Sequence, residues 1–301
     1  MKKVVVLGSL NMDYVINVEK MPQKGETILG LAMSKTPGGK GANQAYAIGK
    51  LGGKVSMIGA VGEDENGKIL KKNLNSVGVN TEGIMELAGV CTGNAVITVD
   101  KAAENSIIVL QGANARLTKT DIDANKQIIV DSDVLVMQLE IPVEVVEYAA
   151  RIASESGTIV ILDPAPAAAD LPDTLWQCID VIKPNETELA ALSGMPVTCI
   201  EDAAIAAKSL LKKGVTQVIV TMGDEGSLLV TEDKTQHFPG EKVVAIDTTA
   251  AGDSFTAAFV VAVTNGKSCE EAISYGNRVS AITVTRKGAQ ASIPDKEEVA
   301  F

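Results

Sequence analysis

The segment DTTAAGDSFTAAF, 247–259, puts a single acid, Asp253, at the start of a long apolar stretch of helical pattern, directly after Ala250, Ala251 and Gly252. Small side chains let backbone N–H groups approach an anion closely, and a helix start adds roughly half a positive charge. An acid in that position has two readings. It can be an ordinary first-turn helix acid, worth ~0.3–1 kcal/mol. It can also be a base that takes a proton from an alcohol while the adjacent amides hold a charged phosphate, which is the arrangement phosphoryl transfer needs. The anion-binding turn beside it favours the second reading, because a carboxylate with no proton to accept is badly placed next to phosphates.

PGGKGANQA, 37–45, is the second chemistry-bearing segment. Its glycines permit close backbone approach, and Asn43 can bond hydroxyl groups. It does not carry the dinucleotide-binding fingerprint, since no glycine or alanine follows Gly39-Lys40-Gly41 at the required spacing. GEDENGKI, 62–69, matches GxxxxGK, but Ile69 stands where a hydroxyl residue must hold Mg²⁺. Glu63, Asp64 and Glu65 would also face the phosphates, so this segment reads as an acidic turn. Asn11 and Asp13 read as turn formers or ligand groups. The single histidine, His237, reads as a solvent-facing strand residue, which leaves carboxylate chemistry and disfavours histidine-based triads and metal sites.

These residues need elements to position them. Apolar runs at 4–8, 55–60, 134–139, 158–163 and 217–223 alternate with helical patterns, ending in long helices near 252–265 and 269–284. That alternation predicts a three-layer αβα fold with a mostly parallel sheet covered on both faces. Residues 83–87 are also strand-like, and short strands near 14–18 and 27–34, with strand-like stretches over 92–110 split by a polar turn at 100–104, fall outside the alternation and predict a separate small sheet. Ligands of open parallel sheets bind beyond the carboxyl ends of the strands. Segments 8–13, 138–140, 163–167, 183–188, 221–226 and 247–253 all follow apolar runs there, which places Glu140, Asn185 and Glu188 on one rim.

Composition narrows the classes. The chain has 301 residues, 46% apolar and only 3% aromatic, so Val, Ile, Leu and Ala must pack the core, as in buried parallel strands. A net charge of −11 repels phosphate backbones and makes nucleic acid an unsuitable partner. Cys91, Cys178, Cys199 and Cys269 form no CxxC pair and read as small buried hydrophobes. The N-terminal apolar run is about six residues, too short for a signal peptide, and none approaches the ~18–20 needed to span a bilayer. A cytoplasmic protein is expected.

Together GSLNMD, PGGKGANQA, VMQLE, LDPAPA, KPNETE, DTTAAGDSF and TRKGAQ, in this order along essentially the whole chain, resemble the ribokinase family of sugar kinases, the phosphofructokinase-B type. The resemblance implies one ribokinase-like domain over 1–301 with a nine-stranded central sheet. It also implies a β lid from about 14–36 and 92–110, through which a homodimer forms. It implies that Asn11, Met12, Asp13, Gly39, Lys40, Gly41, Ala42, Asn43 and Glu140, with Asp253, hold the sugar. Asp253 matches the catalytic base and Ala250-Ala251-Gly252 the anion hole. ATP is expected against Asn185, Thr221, Met222, Gly223, Asp224, Glu225, Gly226, Gly252, Asp253 and Asn277. Glu188, in an NxxE pattern with Asn185, is implied in indirect Mg²⁺ binding, and Asp247, Thr249, Thr283, Arg286, Gly288 and Ser292 in K⁺ binding.

Met12, Met33 and Pro37 depart from the family pattern around the lid, and a methionine beside the sugar predicts a less hydroxylated substrate face. Asn277 replaces a histidine common at the adenine edge. The activity implied is transfer of the ATP γ-phosphoryl to the 5-hydroxyl of D-ribose. 2-Deoxyribose, or another sugar or nucleoside, is the alternative acceptor. An NAD-dependent dehydrogenase and a non-catalytic sugar-binding protein are the more distant readings.

Overall fold

The computed structural model describes residues 2–102 and 104–299. In chain order the strands are β1 (Lys3–Leu7), β2 (Asn11–Val18), β3 (Gly30–Gly38), β4 (Lys54–Gly62), β5 (Asn80–Leu87), β6 (Gly93–Val99), β7 (Asn105–Leu110), β8 (Val134–Met137), β9 (Ile159–Leu162), β10 (Val181–Ile182), β11 (Gln217–Thr221), β12 (Ser227–Val230) and β13 (Thr235–Phe238). Nine of them form one sheet in the order β13-β12-β11-β10-β9-β8-β1-β4-β5. It is parallel from β5 to β11, and the β11–β12–β13 pairings are antiparallel.

The helices are α1 (Lys40–Lys50), α2 (Glu65–Ser76), α3 (Lys119–Ala124), α4 (Lys126–Val130), α5 (Val143–Ser156), α6 (Asp173–Trp176), α7 (Glu186–Ser193), α8 (Ile200–Leu211), α9 (Ala251–Thr264) and α10 (Cys269–Val284). The strands' two-residue period feeds two separate cores. Val5, Leu7, Leu135, Met137, Val160 and Leu162 pack with α5, α7 and α8 on one face. Val4, Val6, Val134, Val136 and Ile161 pack with α1, α9 and α10 on the other. This is the expected three-layer αβα fold.

The second sheet has the order β3-β2-β6-β7. Its strands are longer than the sequence predicts: β2 begins at Asn11, so Asn11 and Asp13 lie in a strand and not in a turn. Pro37 is tolerated opposite Met12 because β3 is an edge strand. The strand-like stretch 83–87 belongs to β5 at the edge of the large sheet. The β12–β13 hairpin and the short helices α3, α4 and α6 are not anticipated by the alternation.

One further expectation changes and one is met. None of the four cysteines is fully buried, and Cys91 is exposed. The acidic turn at 62–69 behaves as expected: Asp64 caps α2 by accepting from the Gly67 N–H at 2.8 Å, and it also accepts from the Thr92 N–H and hydroxyl. Among the described residues no helix is long and apolar enough to cross a membrane.

Candidate active site

Helix α9 starts where Ala250 takes a left-handed conformation, φ 61°, the one non-glycine residue with positive φ among those described. That turn sends the chain from the Asp247 loop into α9 and puts Asp253 in its first turn, only 6% exposed. The Asp253 carboxylate is held from α1. The Asn43 Nδ2–H donates to its Oδ2 at 2.9 Å and the Gln44 Nε2–H to its Oδ1 at 3.0 Å. Burial raises its pKa and Asp163 adds to the rise, against the pull of Lys40 and the two amides.

Helix α1 reaches this point because glycines bring it against the end of β1. A Cβ on Gly41 would stand 2.6 Å from the Gly8 carbonyl carbon and 2.7 Å from Ser9 N, so only hydrogen fits. Gly39, φ 88°, makes the preceding turn. Glu140, beyond β8, then accepts from the Lys40 N–H at 3.1 Å and the Ser9 hydroxyl at 2.5 Å. Asp13 closes the group from β2. Burial, then repulsion from Glu140 and Asp253, pushes its carboxyl up to about 7. Burial alone would lower Lys40, but Asp253, Asp163, Glu140 and Glu188 together hold it above its ordinary value. Three carboxylates and one ammonium thus converge from β2, α1, the β8 end and α9.

The expected nucleotide side is also assembled at strand ends. Asn185 and Glu188 form a reciprocal capping box on α7: the Glu188 N–H donates to Asn185 Oδ1 at 2.8 Å, and the Asn185 N–H to Glu188 Oε2 at 2.9 Å. One Glu188 oxygen is thereby used for the helix. Burial and then Asp163 raise its pKa, opposed by the Asn185 N–H, Lys183 and Lys40. Thr221 bridges to Asn185, and the turn 222–226 is closed by the Met222 N–H donating to Gly226 O at 2.8 Å. The Asn277 carboxamide is occupied on both ends, accepting from the Ser227 hydroxyl and donating to Phe238 O.

Residues 1–296 match the family described as pfkB family carbohydrate kinase. A ribokinase of Haemophilus influenzae is 43% identical over 297 residues, covering 99% of this chain and 97% of that one. A deoxyribokinase of Salmonella typhimurium is 38% identical over 296 residues, covering 98% and 96%. The solved structure of Arabidopsis thaliana ribokinase complexed with ribose and ATP superposes with a TM-score of 0.93 at 35% identity, covering 98% and 96%. The chain belongs to the pfkB family of carbohydrate kinases.

Within this carbohydrate kinase most of the expected residues come together. Met12 is 1% exposed and packs in the core with Leu10 and Ala42, because strand alternation sends it away from the face that carries Asn11 and Asp13. The expected cation residues are joined at one point: Asp247 accepts from the Thr249 N–H and hydroxyl and from the Gly288 N–H at 2.8 Å. Burial pushes Asp247 up, but these hydrogen bonds outweigh it and hold it low. The Thr283 hydroxyl donates to Val279 O, the Ser292 hydroxyl to Ala289 O, and the Arg286 guanidinium turns out to Glu298.

Sequence reasoning missed the second layer. Lys183 and Asp163 form an ion pair of 3.0 Å with side chains 5% and 3% exposed, and Lys183 Nζ also donates to Gly252 O at 3.4 Å. Gln290 donates to Asn43 Oδ1, and Asn114 ties Leu10 to Asn11. The signal for Asp163 and Lys183 was available, since both end apolar strands. Nothing local points to Gln290 or Asn114, which are reached only through the fold.

Proposed function

We propose that this kinase transfers the γ-phosphoryl group of ATP to the 5-hydroxyl of D-ribose, releasing ADP and ribose 5-phosphate. The observation that carries the reading is the buried Asp253 carboxylate at the start of α9, bonded to Asn43 of the 39–43 segment and electrostatically coupled to Asp13. Asp253 removes the hydroxyl proton as the oxygen attacks phosphorus and the bond to ADP breaks. The N–H groups at the start of α9 stabilise the charge carried by the moving phosphoryl. Asn11, Asp13, Gly39–Asn43 and Glu140 take the sugar, which the small sheet covers as a lid on the single domain. Asn185, the 221–226 turn and the Asn277 region take the nucleotide. Support comes from the relatives named ribokinase and from the Arabidopsis complex.

The second acceptor, 2-deoxyribose, is favoured by the likeness to the Salmonella deoxyribokinase. A coupled ADP-release assay over a panel of sugars separates the two. Ribose is expected to exceed deoxyribose in kcat/KM by at least about tenfold, because a site built to bond a hydroxyl rejects its absence. Equal or reversed values overturn ribose as the substrate.

For Mg²⁺, the residues fit. Glu188 is a buried carboxylate with one oxygen outside its capping box, and such a group with ATP phosphates is a usual magnesium set. Bound Mg²⁺ would neutralise phosphate charge. For K⁺, Asp247 and the neighbouring backbone carbonyls offer the oxygen donors a hard cation prefers, while Thr283, Arg286 and Ser292 would contribute through oxygens not already committed. A homodimer through the small sheet is supported by exposed Leu31, Met33 and Ile108, at 59%, 67% and 63%, on β3 and β7. Sedimentation of Leu31→Glu and Ile108→Glu tests it. The chain is taken to act in the cytoplasm.

A further inference from the structure

We infer that Gln44 is the positioning residue of Asp253, a carboxamide clamped from behind by Gln138 that holds the base in place and divides its two N–H groups between Asp253 and Asp163. The inference rests on the reading of Asp253 as the base. Gln44 lies one residue from Asn43, on the first turns of α1, and is fully buried. Its Nε2 donates at 3.0 Å to Asp253 Oδ1 and at 2.8 Å to Asp163 Oδ2. Both partners are carboxylates, so the amide orientation is forced: nitrogen faces the acids and oxygen faces away.

The oxygen is held too. Gln138 Nε2–H donates to Gln44 Oε1 at 2.6 Å. In doing so Gln138 leaves its own Oε1 against Gly8 without a hydrogen-bond partner, the one buried side-chain polar atom among the described residues in that state. An unpaired buried oxygen is costly. The Gln138 orientation is therefore set by what Gln44 needs, and the clamp points the Gln44 N–H groups at the base.

Asp163 gives the arrangement its second function. It lies one carboxamide away from Asp253, and Lys183 pairs with it at 3.0 Å while the Thr256 hydroxyl donates from 3.5 Å. Asp163 repels charge on Asp253 while Gln44 favours it. The other charged groups facing this point are Lys40 from α1, Asp13 from β2, Glu140 beyond β8 and Glu188 from α7. Gln44 and Asp163 thus act on the base in opposite directions.

That opposition supplies a test that a merely structural role does not pass. The pH dependence of kcat is measured for the parent, Gln44→Met and Asp163→Asn, with the ribose KM and thermal midpoint of each. The acid limb reports ionisation of the base, and activity falls as pH drops through it. Gln44→Met removes a donor to the carboxylate, so the limb moves up by about 1 pH unit, with kcat at the optimum down about tenfold and KM within about threefold. Asp163→Asn removes a like charge, so the limb moves down.

Limbs that stay in place, or that move in the same direction, overturn the inference even where thermal midpoints fall. If Gln44→Met does not fold, Gln138→Met keeps the Gln44 side chain and loosens only its clamp. It is expected to move the limb up by a smaller amount, and an unmoved limb there overturns the inference as well. Asp253→Asn is run beside them: near-parental turnover removes the base reading, whereas a dead Asp253→Asn with unmoved limbs removes only the role of Gln44.

Discussion

The Asn43 amide donates to the Asp253 carboxylate across 2.9 Å although 210 residues of chain separate them. One comes from the first turn of α1 and the other from the first turn of α9, and the two helices pack side by side on the same face of the central sheet. The proposed sugar-binding amide and the proposed base are thereby fixed to one another. The Asn43 oxygen is in turn fixed by Gln290.

Loss of the base is the most direct consequence. Asp253→Asn keeps the size of the side chain and is expected to leave ribose and ATP affinities within a few-fold while turnover falls by at least ~10². Isothermal titration beside a coupled assay measures both. Turnover close to the parent would sink the mechanism.

Asp13 makes the ligand-free protein sensitive to pH. Its folded pKa is raised to about 7 from an ordinary 3.8, so between those values the folded state binds the extra proton. Stability contributed by that proton is therefore lost as pH rises from about 4 towards 7. Asp13→Asn removes the ionisation and is expected to stabilise the free protein at pH 8 by something of the order of 1–3 kcal/mol, with about half that gain or less at pH 5. Thermal midpoints at the two pH values decide it, and sugar affinity should fall in the same variant.

The Lys183–Asp163 pair is buried, so removing one member leaves an uncompensated charge. Lys183→Met is expected to cost about 3–5 kcal/mol in urea unfolding. The double variant Lys183→Met/Asp163→Asn should recover more than half of that loss. Equal losses in single and double variants would show that the pairing contributes nothing.

Ala250 holds a left-handed turn that glycine adopts freely. The strain of an L-residue there, about 1–2 kcal/mol, exceeds the entropy that glycine adds to the unfolded chain, about 0.5–1 kcal/mol. Ala250→Gly is expected to raise stability by roughly 0.5–1 kcal/mol, read from the denaturation midpoint. A loss of stability would mean that the methyl group packs usefully at the start of α9.

Although 247–253 follows no strand and is placed by the turn into α9, the sequence by itself determined the layered α/β order, the separate small sheet, and the gathering of 8–13, 138–140, 163–167, 183–188 and 221–226 at one rim. These follow from local periodicity and from where apolar runs end, because the carboxyl ends of parallel strands all face one way. It also pointed to Asp253 through the small residues before it. Boundaries were less legible: the sequence starts the first strand of the small sheet near residue 14, and only pairing with β3 and β6 shows that it begins at Asn11. Only the tertiary structure decided that Met12 turns into the core and that the Asn185–Glu188 pattern caps a helix. It also decided that Gln44, Gln138, Asp163 and Lys183 stand behind the base. Side-chain facing depends on which strand is the neighbour, and buried hydrogen bonds join residues about a hundred or more positions apart that carry no local signal of one another.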